Sequence, residues 1–363
     1  MATATRVGVL VGPRRLEALV KGNPGPRLAA LLQAGREAGV PLFFFTLDGV
    51  DMDARTIKGI TPAEGWWQEA RLSYLPVLYR ICAVAEEQRP LFAAFLSQLR
   101  RRGTVFLNYP WFMDKWETYR CLVNTELAPH LPRTWPIADP AEVLALLEEH
   151  PQLYLKACVG GRGKQVLRVE KLGRDAYGFI RFRDGLARGK LHKFSLLREI
   201  QGFFGARPII AQERIDLIQV NGRNVDLRAE VQRTAQGTIH VIAIAARIAR
   251  RHSPITTHSV SMSLENFSRL YPSLLGDYRA FAARAEEFLC RVYAALEKCF
   301  GCCGELGIDF GLDCSGGLWF IEANSQSAKV SLFNSCPLSL IIRSYVNLLE
   351  YACAQAAQRK ALD

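Results

Sequence analysis

Short apolar runs alternate with amphipathic stretches through the first hundred residues of the chain. The apolar runs at 7–11, 42–47 and 105–107 have the length and the aliphatic or aromatic content of buried strands. Between them, the stretches at 26–38 and 90–101 have the pattern of helices. Because strands that alternate with helices form a helix-covered sheet, this part of the chain predicts a small N-terminal α/β layer.

The remainder of the chain mixes helices and strands. Asp139, Pro140 and Glu142 supply an N-cap, a proline at the first helical position and a glutamate three residues after the cap, which predicts a helix start. The other expected elements are a helix at 114–127, a proline-punctuated linker at 128–140, strands near 208–213, 225–233 and 238–249, a helix at 278–300, a strand pair within 306–323 and a helix from Pro337 onward.

The stretch YLKACVGGRGKQVLRV, residues 154–169, has the glycines of a phosphate-binding loop. A Walker-type loop has a hydroxyl residue after its lysine and a helix behind it, but here Gln165 is followed by strand formers. The stretch therefore predicts strand, glycine turn and strand, with Lys156 as a fixed charge beside an anion. The glycines whose amides would face that anion are Gly160, Gly161 and Gly163. A flexible hairpin tip without a ligand is the alternative interpretation.

The stretch ELGIDFGLDCSGGLWFIEANSQS predicts a second hairpin, which carries carboxylates. A four-residue turn at 314–317 sets a register in which Asp309 faces Glu322, and Asn324 projects on the same face as Glu322. Opposed carboxylates about 4.5–5.5 Å apart at Cβ repel, so a cation is expected between them. Oxygen ligands suit magnesium or manganese. The alternative is a solvated face whose carboxylates pair with lysine or arginine.

The composition is typical of a globular protein: 49% of the 363 residues are apolar and 22% are charged. No stretch approaches the roughly 18 uninterrupted apolar residues of a membrane span. The start of the chain has the pattern of a first strand rather than of a signal peptide. These features predict a cytoplasmic protein with no membrane span.

The ten cysteines are scattered along the chain, which favours free thiols in a reducing compartment over a disulfide framework. Cys299, Cys302 and Cys303 have partial zinc spacing but no second ligand pair nearby. Buried thiols around a helix end are the favoured interpretation of this cluster, and a metal site is the alternative.

The net charge of +11 is concentrated after the glycine turn. The segment 162–198, called the basic run below, holds eleven Lys or Arg against three Asp or Glu. It lacks regularly interleaved aromatic residues and shows no helix-turn-helix or zinc-finger pattern, so nucleic acid is not the expected partner. A cover over polyphosphate fits the neighbouring glycines better.

Taken together, the order and spacing of these motifs resemble the ATP-grasp superfamily, most of all the endospore coat-associated ATP-grasp proteins of spore-forming bacteria. The matching motifs are MDKWETYRCL around Lys115, Lys156 with its glycine turn, IIAQERIDL, VDLRAEV, Arg247 and GIDFGLD followed by GGLWFIEAN. The resemblance is good over 110–350 and loose before it. It implies an α/β (α+β) ATP-grasp fold: an N-terminal pre-ATP-grasp domain at 1–110, a central subdomain with a glycine-rich flap at 111–212 and a C-terminal subdomain at 213–363.

The resemblance also assigns a role to individual residues. It implies that the ATP phosphates are held by Lys115, Lys156, Gly160, Gly161 and Gly163. The adenine hinge and ribose contact that it implies are Gln212, Glu213, Ile215 and Asp216. It also implies that the reacting phosphoryl group faces Arg228 and Arg247, and that magnesium or manganese is held by Asp309, Glu322 and Asn324.

The implied activity is that of an ATP- and magnesium-dependent ligase. It would join a small-molecule or peptide carboxylate to an amine or related nucleophile through an acyl phosphate, in spore-coat or cell-envelope formation. A phosphotransferase on the same fold and a nucleotide-binding coat scaffold without turnover are the alternatives. The implied location is the cytoplasm, with spore association.

Two departures from the family pattern bear on the acceptor. Many members have proline after the second lysine, where this chain has Ala157, and proline-glycine three residues beyond the metal-binding asparagine, where it has Ser327 and Ala328. The second change leaves the acceptor open. His252 and His258 are candidates for the acceptor side, and a solvated loop without a role is the alternative.

Overall fold

The computed structural model describes residues 5–63, 66–161, 165–182, 185–251, 253–256 and 260–360, which form three sheets flanked by helices. Among these residues, no helix has the length and apolar character needed to cross a membrane.

The N-terminal sheet has a parallel centre. Its strands are β1 (Val7–Leu10), β2 (Leu42–Phe45), β3 (Val50–Asp51), β4 (Thr56–Ala63), β5 (Trp66–Ser73), β6 (Val77–Arg80) and β7 (Val105–Phe106), and its helices are α1 (Pro13–Val20), α2 (Gly25–Glu37) and α3 (Arg89–Arg101). The spatial order is β3-β4-β2-β1-β6-β7, with β5 beside β4. β1 runs parallel to β2 and β6, and β6 parallel to β7. The predicted α/β layer is confirmed.

The second sheet is antiparallel and follows a helix, α4 (Lys115–Val123). Its strands are β8 (Thr134–Ile137), β9 (Gln152–Ala157), β10 (Val166–Lys171), β11 (Ala176–Phe182), β12 (Leu186–His192) and β13 (Ile209–Glu213), with helices α5 (Pro140–Glu149) and α6 (Lys193–Phe204). The order is β12-β11-β10-β9-β13-β8. Leu155 and Leu167 are buried in one core with Val143 of α5 and Leu196 of α6. The other face of the sheet is therefore left for a ligand.

The third sheet is also antiparallel. Its strands are β14 (Gln219–Val220), β15 (Arg223–Arg233), β16 (Ile239–Ile248), β17 (Val260–Ser263), β18 (Glu305–Leu312) and β19 (Leu318–Asn324), and its helices are α7 (Leu264–Leu270), α8 (Pro272–Leu275), α9 (Tyr278–Phe300), α10 (Val330–Ser335) and α11 (Leu338–Lys360). The order is β17-β16-β15-β18-β19, with β14 beside β15.

The last helix does not stay with the third sheet. Tyr345 and Leu349 of α11 share a hydrophobic core with Val7 of β1 and Leu31 of α2. Conversely, Met113 and the α4 residue Leu122 belong to the core under the third sheet. The domain boundaries near 110 and 212 remain a proposal, with two segments packing across them.

Two secondary-structure expectations were wrong. The segment expected as a linker at 128–140 contains β8, which pairs with β13 at the edge of the second sheet. Pro136 is tolerated in β8 because an edge strand has a neighbour on one side only, so a missing backbone N–H need not break the pairing. The helix expected at 114–127 ends at Val123. The two strands on either side of the glycine stretch are confirmed as an antiparallel pair, with Lys156 opposite Val166, and residues 162–164 between them lie outside the described residues.

The expectation of free thiols was also wrong for one pair. Cys121 of α4 and Cys299 of α9 form a disulfide, 178 residues apart in sequence. Cys303 is buried and free as expected, but Cys302 is exposed. Because Cys299 is committed to the disulfide, the alternative of a metal site in this cluster is not supported.

Candidate active site

A cleft opens between the second and third sheets. Its apolar lining includes Met113 before α4, Ile210 of β13 and Phe320 of β19. Its polar lining includes Lys115, Lys156, Gln212 and Glu322, all four of which were predicted as site residues. The apolar residues were missed, because a buried aliphatic or aromatic side chain in a strand gives no sign in sequence that it faces a ligand rather than a core.

Lys156 reaches the cleft because β9 alternates its side chains between two faces. Leu155 packs under the helices, so Lys156 points the other way and is buried. Its Nζ donates a hydrogen bond to Gln212 Oε1 at 2.6 Å, and Gln212 Nε2 donates to Thr134 Oγ1 at 3.0 Å. Burial, and then the nearby charge of Lys115, lower the pKa of Lys156 to about 8, although Glu322 opposes the shift. The fold thus holds a desolvated lysine facing the cleft.

Lys115 connects the glycine turn to the carboxylates. It is the first residue of α4, whose N-cap is Asp114. Its Nζ lies 3.7 Å from Glu322 Oε2 and donates to the backbone oxygen of Gly160 at 3.3 Å. Gly161 has open space around it, and Gly163 lies outside the described residues.

Asp309 pairs with Glu322 as predicted, but by a different register at the turn. Leu312 pairs with Leu318, so the connection spans five residues, 313–317, instead of four. An irregularity between Phe310 and Asp309 restores the predicted pairing by one extra residue in β19. The predicted pairing of Asp309 with Glu322 is correct because two errors cancel. The turn is one residue longer than expected, and the bulge adds one residue to β19.

The three proposed metal ligands lie together. Asp309 and Glu322 are directly paired across β18 and β19, and Asn324 Nδ2 donates to Glu322 Oε1 at 3.2 Å. The set offers two carboxylates and one amide oxygen, which fits the preference of magnesium and manganese for oxygen. Among the described residues, no three His, Cys, Asp or Glu side chains form a metal site by themselves, so the amide would have to act as a ligand.

Two arginines surround Asp309. Arg228 Nη1 donates to Asp309 Oδ1 at 2.7 Å, and Arg247 Nη2 lies 3.1 Å from the same oxygen. Burial alone would raise the pKa of Asp309, but the two guanidinium groups outweigh it and lower that pKa. The carboxylate therefore stays ionised at neutral pH.

Asp226 is a site residue that the sequence reasoning missed. It accepts two hydrogen bonds of 2.7 Å from Arg247 Nε and Nη2, and one of 2.5 Å from Thr256 Oγ1. Burial raises its pKa despite the arginine. A signal was present, because Asp226 lies two residues before Arg228 in β15 and so on the same face of the strand.

The remaining hinge residues do not line the cleft. The Glu213 side chain accepts a hydrogen bond of 2.7 Å from the Arg133 backbone N–H, and the exposed Asp216 pairs with Arg214 at 3.2 Å. Ile215 is half-buried. Their proposed contacts with a nucleotide would be made by backbone groups. His252 and His258 lie outside the described residues.

Gly307 provides the space for the Arg228 guanidinium. A Cβ added at Gly307 would lie 2.1 Å from Arg228 Nη2. We expect Gly307→Ala to move Arg228 off Asp309 and to weaken Mg-ATP binding by about tenfold, measured by calorimetry, since a charge-assisted hydrogen bond contributes about 1.5–3 kcal/mol. Gly202→Ala in α6, where an added Cβ meets nothing within 4 Å, is the matched control and should leave binding unchanged. Equal affinity in both variants would contradict the expectation.

These three sheets and the cleft between two of them define an ATP-grasp protein, as solved structures of the same fold show. A RiPP-associated ATP-grasp ligase of Chryseobacterium gregarium, in complex with ADP and a leader and core peptide, aligns with a TM-score of 0.53 at 13% identity, over 95% of this chain and 96% of that one. VanG D-Ala:D-Ser ligase from Enterococcus faecalis aligns with a TM-score of 0.54 at 13% identity, over 98% and 100%. The predicted ATP-grasp fold is confirmed.

Within that class, the chain belongs to the YheC/D-like ATP-grasp family, whose model matches residues 103–354. The endospore coat-associated protein YheD of Bacillus subtilis (strain 168) is 24% identical over 320 residues, which cover 84% of this chain and 68% of YheD. The resemblance found from the sequence motifs is confirmed.

Proposed function

We propose that the protein is an ATP- and magnesium-dependent ligase that activates a carboxylate as an acyl phosphate and passes the acyl group to an amine or related nucleophile. The observation that carries this proposal is the meeting, in one cleft, of two lysines with a carboxylate pair. Lys115 and Lys156 come from one side of the cleft, and Glu322, beside Asp309, from the other.

The first half of the proposal is ATP binding. The apolar side chains of Met113, Ile210 and Phe320 would hold the adenine ring, with Gln212 as a hydrogen-bonding partner at its edge. Lys115 and Lys156 would then meet the phosphates. The cleft and the adjoining arginines carry four cations, Lys115, Lys156, Arg228 and Arg247, against three carboxylates, Asp226, Asp309 and Glu322. This excess of one positive charge favours an anionic nucleotide.

The second half is transfer of the γ-phosphoryl group. Asp309, Glu322 and Asn324 would hold magnesium, which when bound neutralises charge on the phosphate oxygens. Arg228 and Arg247 would orient the phosphoryl group and stabilise the negative charge of the acyl phosphate. Asp226 would hold Arg247 in place through its paired hydrogen bonds. Positioning and charge neutralisation are thus the chain's own contribution.

A panel of amino acids and peptides, assayed for ADP, free phosphate and hydroxylamine-trapped acyl group, tests this function. A ligase releases ADP and phosphate and yields a hydroxamate with the right carboxylate. A phosphotransferase releases ADP but leaves the phosphate on its product, and a scaffold releases neither. Asp309→Asn should abolish any turnover, whereas the exposed Glu265→Gln should not. Phosphate release that Asp309→Asn leaves unchanged would contradict the proposal.

The two alternatives are supported less well. A scaffold that only binds nucleotide has no need to bury Asp309 between two arginines, since burying a charge is costly. A phosphotransferase uses the same phosphate ligands, so only the product assay separates it from a ligase. A role in spore-coat or cell-envelope formation, and a cytoplasmic or spore-associated location, are proposed from the description of YheD as endospore coat-associated.

The lowered pKa of Lys156 predicts that ATP affinity falls at alkaline pH. With a pKa of about 8 in the free protein, Lys156 loses its charge above pH 8, and ATP would have to bind it together with a proton. Affinity should hold between pH 7 and 8 and then fall up to about tenfold per pH unit. The terminal phosphate is already ionised in this range. Calorimetry from pH 7 to 9.5 checks this, and a flat profile would contradict it.

The basic run remains a proposed mobile cover over ATP. Part of its charge is already paired, because Lys171 contacts Glu148 and Arg181 contacts Glu199, both outside the run. Its self-repulsion is therefore smaller than the composition indicates. We still expect hydrogen-exchange protection at 165–182 and 185–198 to rise with Mg-ATP, and Lys156→Ala to remove the rise. Protection that instead rises with RNA or DNA and falls with salt would assign the run to nucleic acid.

A further inference from the structure

A second cavity, of roughly 140 Å³, lies between the second and third sheets and shares no described lining residue with the ATP cleft. The second sheet contributes Arg168 of β10, and Arg214 follows β13. The third sheet contributes Arg223 of β15, and Arg250 follows β16. Four of the nine described lining residues are thus arginines, while none is Asp or Glu.

The contacts of Arg168, Arg214 and Arg223 leave some of their N–H donors for a ligand. Arg168 lies 3.6 Å from Glu170, and Arg214 contacts Gln152 at 2.7 Å and Asp216 at 3.2 Å. Arg223 Nε donates to the Val220 oxygen at 3.4 Å. Neither carboxylate lines the cavity. Because each guanidinium carries five N–H donors, these contacts use only some of them, and the lining of the cavity is positive.

The neutral lining residues add hydrogen-bonding groups, and two of them are held in place by hydrogen bonds of their own. Gln219 Nε2 donates to Asn224 Oδ1 at 2.9 Å, and Ser253 Oγ donates to the Ile255 oxygen at 2.7 Å. Ile180 provides an apolar surface. Arginine forks match carboxylate and phosphate groups in a bidentate manner, so arginines on opposite walls suit a ligand with more than one such group.

We propose that this cavity binds a small polyvalent anion, with at least two carboxylate or phosphate groups, that bridges the two sheets. The bound anion offsets the repulsion among the guanidinium groups of Arg168, Arg214 and Arg223. It binds independently of ATP, because the two cavities have separate linings, and it links the walls that carry Arg168 and Arg223. The site does not depend on the proposed ligase activity.

Calorimetric titration of the full chain with tripolyphosphate, and separately with citrate, tests the proposal. Each titration is made with saturating Mg-ADP, and again in Lys156→Met protein, so that binding in the ATP cleft does not contribute. We expect saturable binding of at least one probe, weakened tenfold or more by Arg168→Gln and by Arg223→Gln. The double variant should lose less than the product of the two single losses, since one ligand contacts both walls.

Arg279→Gln is the matched control, because it removes one exposed arginine from α9, which packs in the core under the third sheet. It should leave binding unchanged. Binding of tripolyphosphate alone identifies a phosphate site, and binding of citrate alone a carboxylate site. The proposal is overturned if neither probe binds, if Arg168→Gln and Arg223→Gln bind like wild type, or if Mg-ADP displaces the probe.

Discussion

Lys156→Met should abolish ATP binding and at the same time make the folded protein more stable. The binding loss is expected to exceed 100-fold, because a lysine desolvated in the cleft forms a strong charge-assisted contact with phosphate. The stability gain follows from the pKa, which burial lowers from 10.5 to about 8. That difference disfavours the charged lysine in the folded state at pH 7 by about 3 kcal/mol. The substitution also leaves Gln212 Oε1 without its hydrogen-bond donor, which costs about 1–2 kcal/mol and reduces the gain in stability by that amount.

The sign of the stability effect can be checked by pH. The cost of the charged lysine is fully present below pH 8 and disappears as the pH rises towards 10.5, so the advantage of Lys156→Met should shrink over that range. Urea unfolding at pH 7 and pH 10, beside nucleotide calorimetry, measures both effects. Lys58→Met, at an exposed position of β4, should change neither. Lost ATP binding together with lower stability would indicate misfolding instead.

The sequence predicts best those elements whose signals are local. The capping box at Asp139 forms as expected, and the helix expected at 278–300 is observed as Tyr278–Phe300. Lys115, Lys156, Gln212 and Glu322 all line one cleft. Each of these features depends on a short motif or on strand alternation, which a single sequence carries.

The failures have in common that they depend on contacts distant in sequence. The partner of Cys299 is 178 residues away, and β8 exists because β13 lies beside it. The hairpin β4–β5 was not predicted, because most residues of β5 are exposed or half-buried and its pattern lacks an apolar face. Asp226 was not predicted because its contact with Arg247 depends on the pairing of β15 with β16. The local sequence pattern thus predicts individual helices and strands, whereas the residues with which they pair depend on tertiary contacts.

Lys329→Met should be among the most destabilising single substitutions in the chain. Lys329 is fully buried and contacts both Glu230 and Glu305, which are fully buried too. Its removal would leave the two carboxylates without their direct ion-pair partner, with only Arg27 as a nearby cation, at a cost of about 3–5 kcal/mol. Lysine is held here even though its φ is +53°, a conformation uncommon for residues other than glycine.

The network around Lys329 also reaches the site and the N-terminal sheet. Ser327 Oγ donates to Glu230 at 2.6 Å, and Tyr79 of β6 donates to Glu305 at 2.8 Å. Arg27 of α2 donates to the Ser327 oxygen at 3.0 Å. The loop after Asn324, where the family pattern has proline-glycine, is thus held by two carboxylates of the third sheet and by Arg27 of α2. Loss of Lys329 should therefore weaken Mg-ATP binding as well as folding.

A triple variant separates unpaired charge from lost packing. Lys329→Met combined with Glu230→Gln and Glu305→Gln removes all three charges of this ion-pair network. More than half of the stability lost in Lys329→Met alone should therefore return. Lys298→Met, at an exposed position of α9, serves as the control and should unfold like wild type. Urea unfolding at pH 7 gives all four free energies. If the triple variant is as unstable as the single one, packing and the αL backbone at 329, rather than the charges, hold this loop.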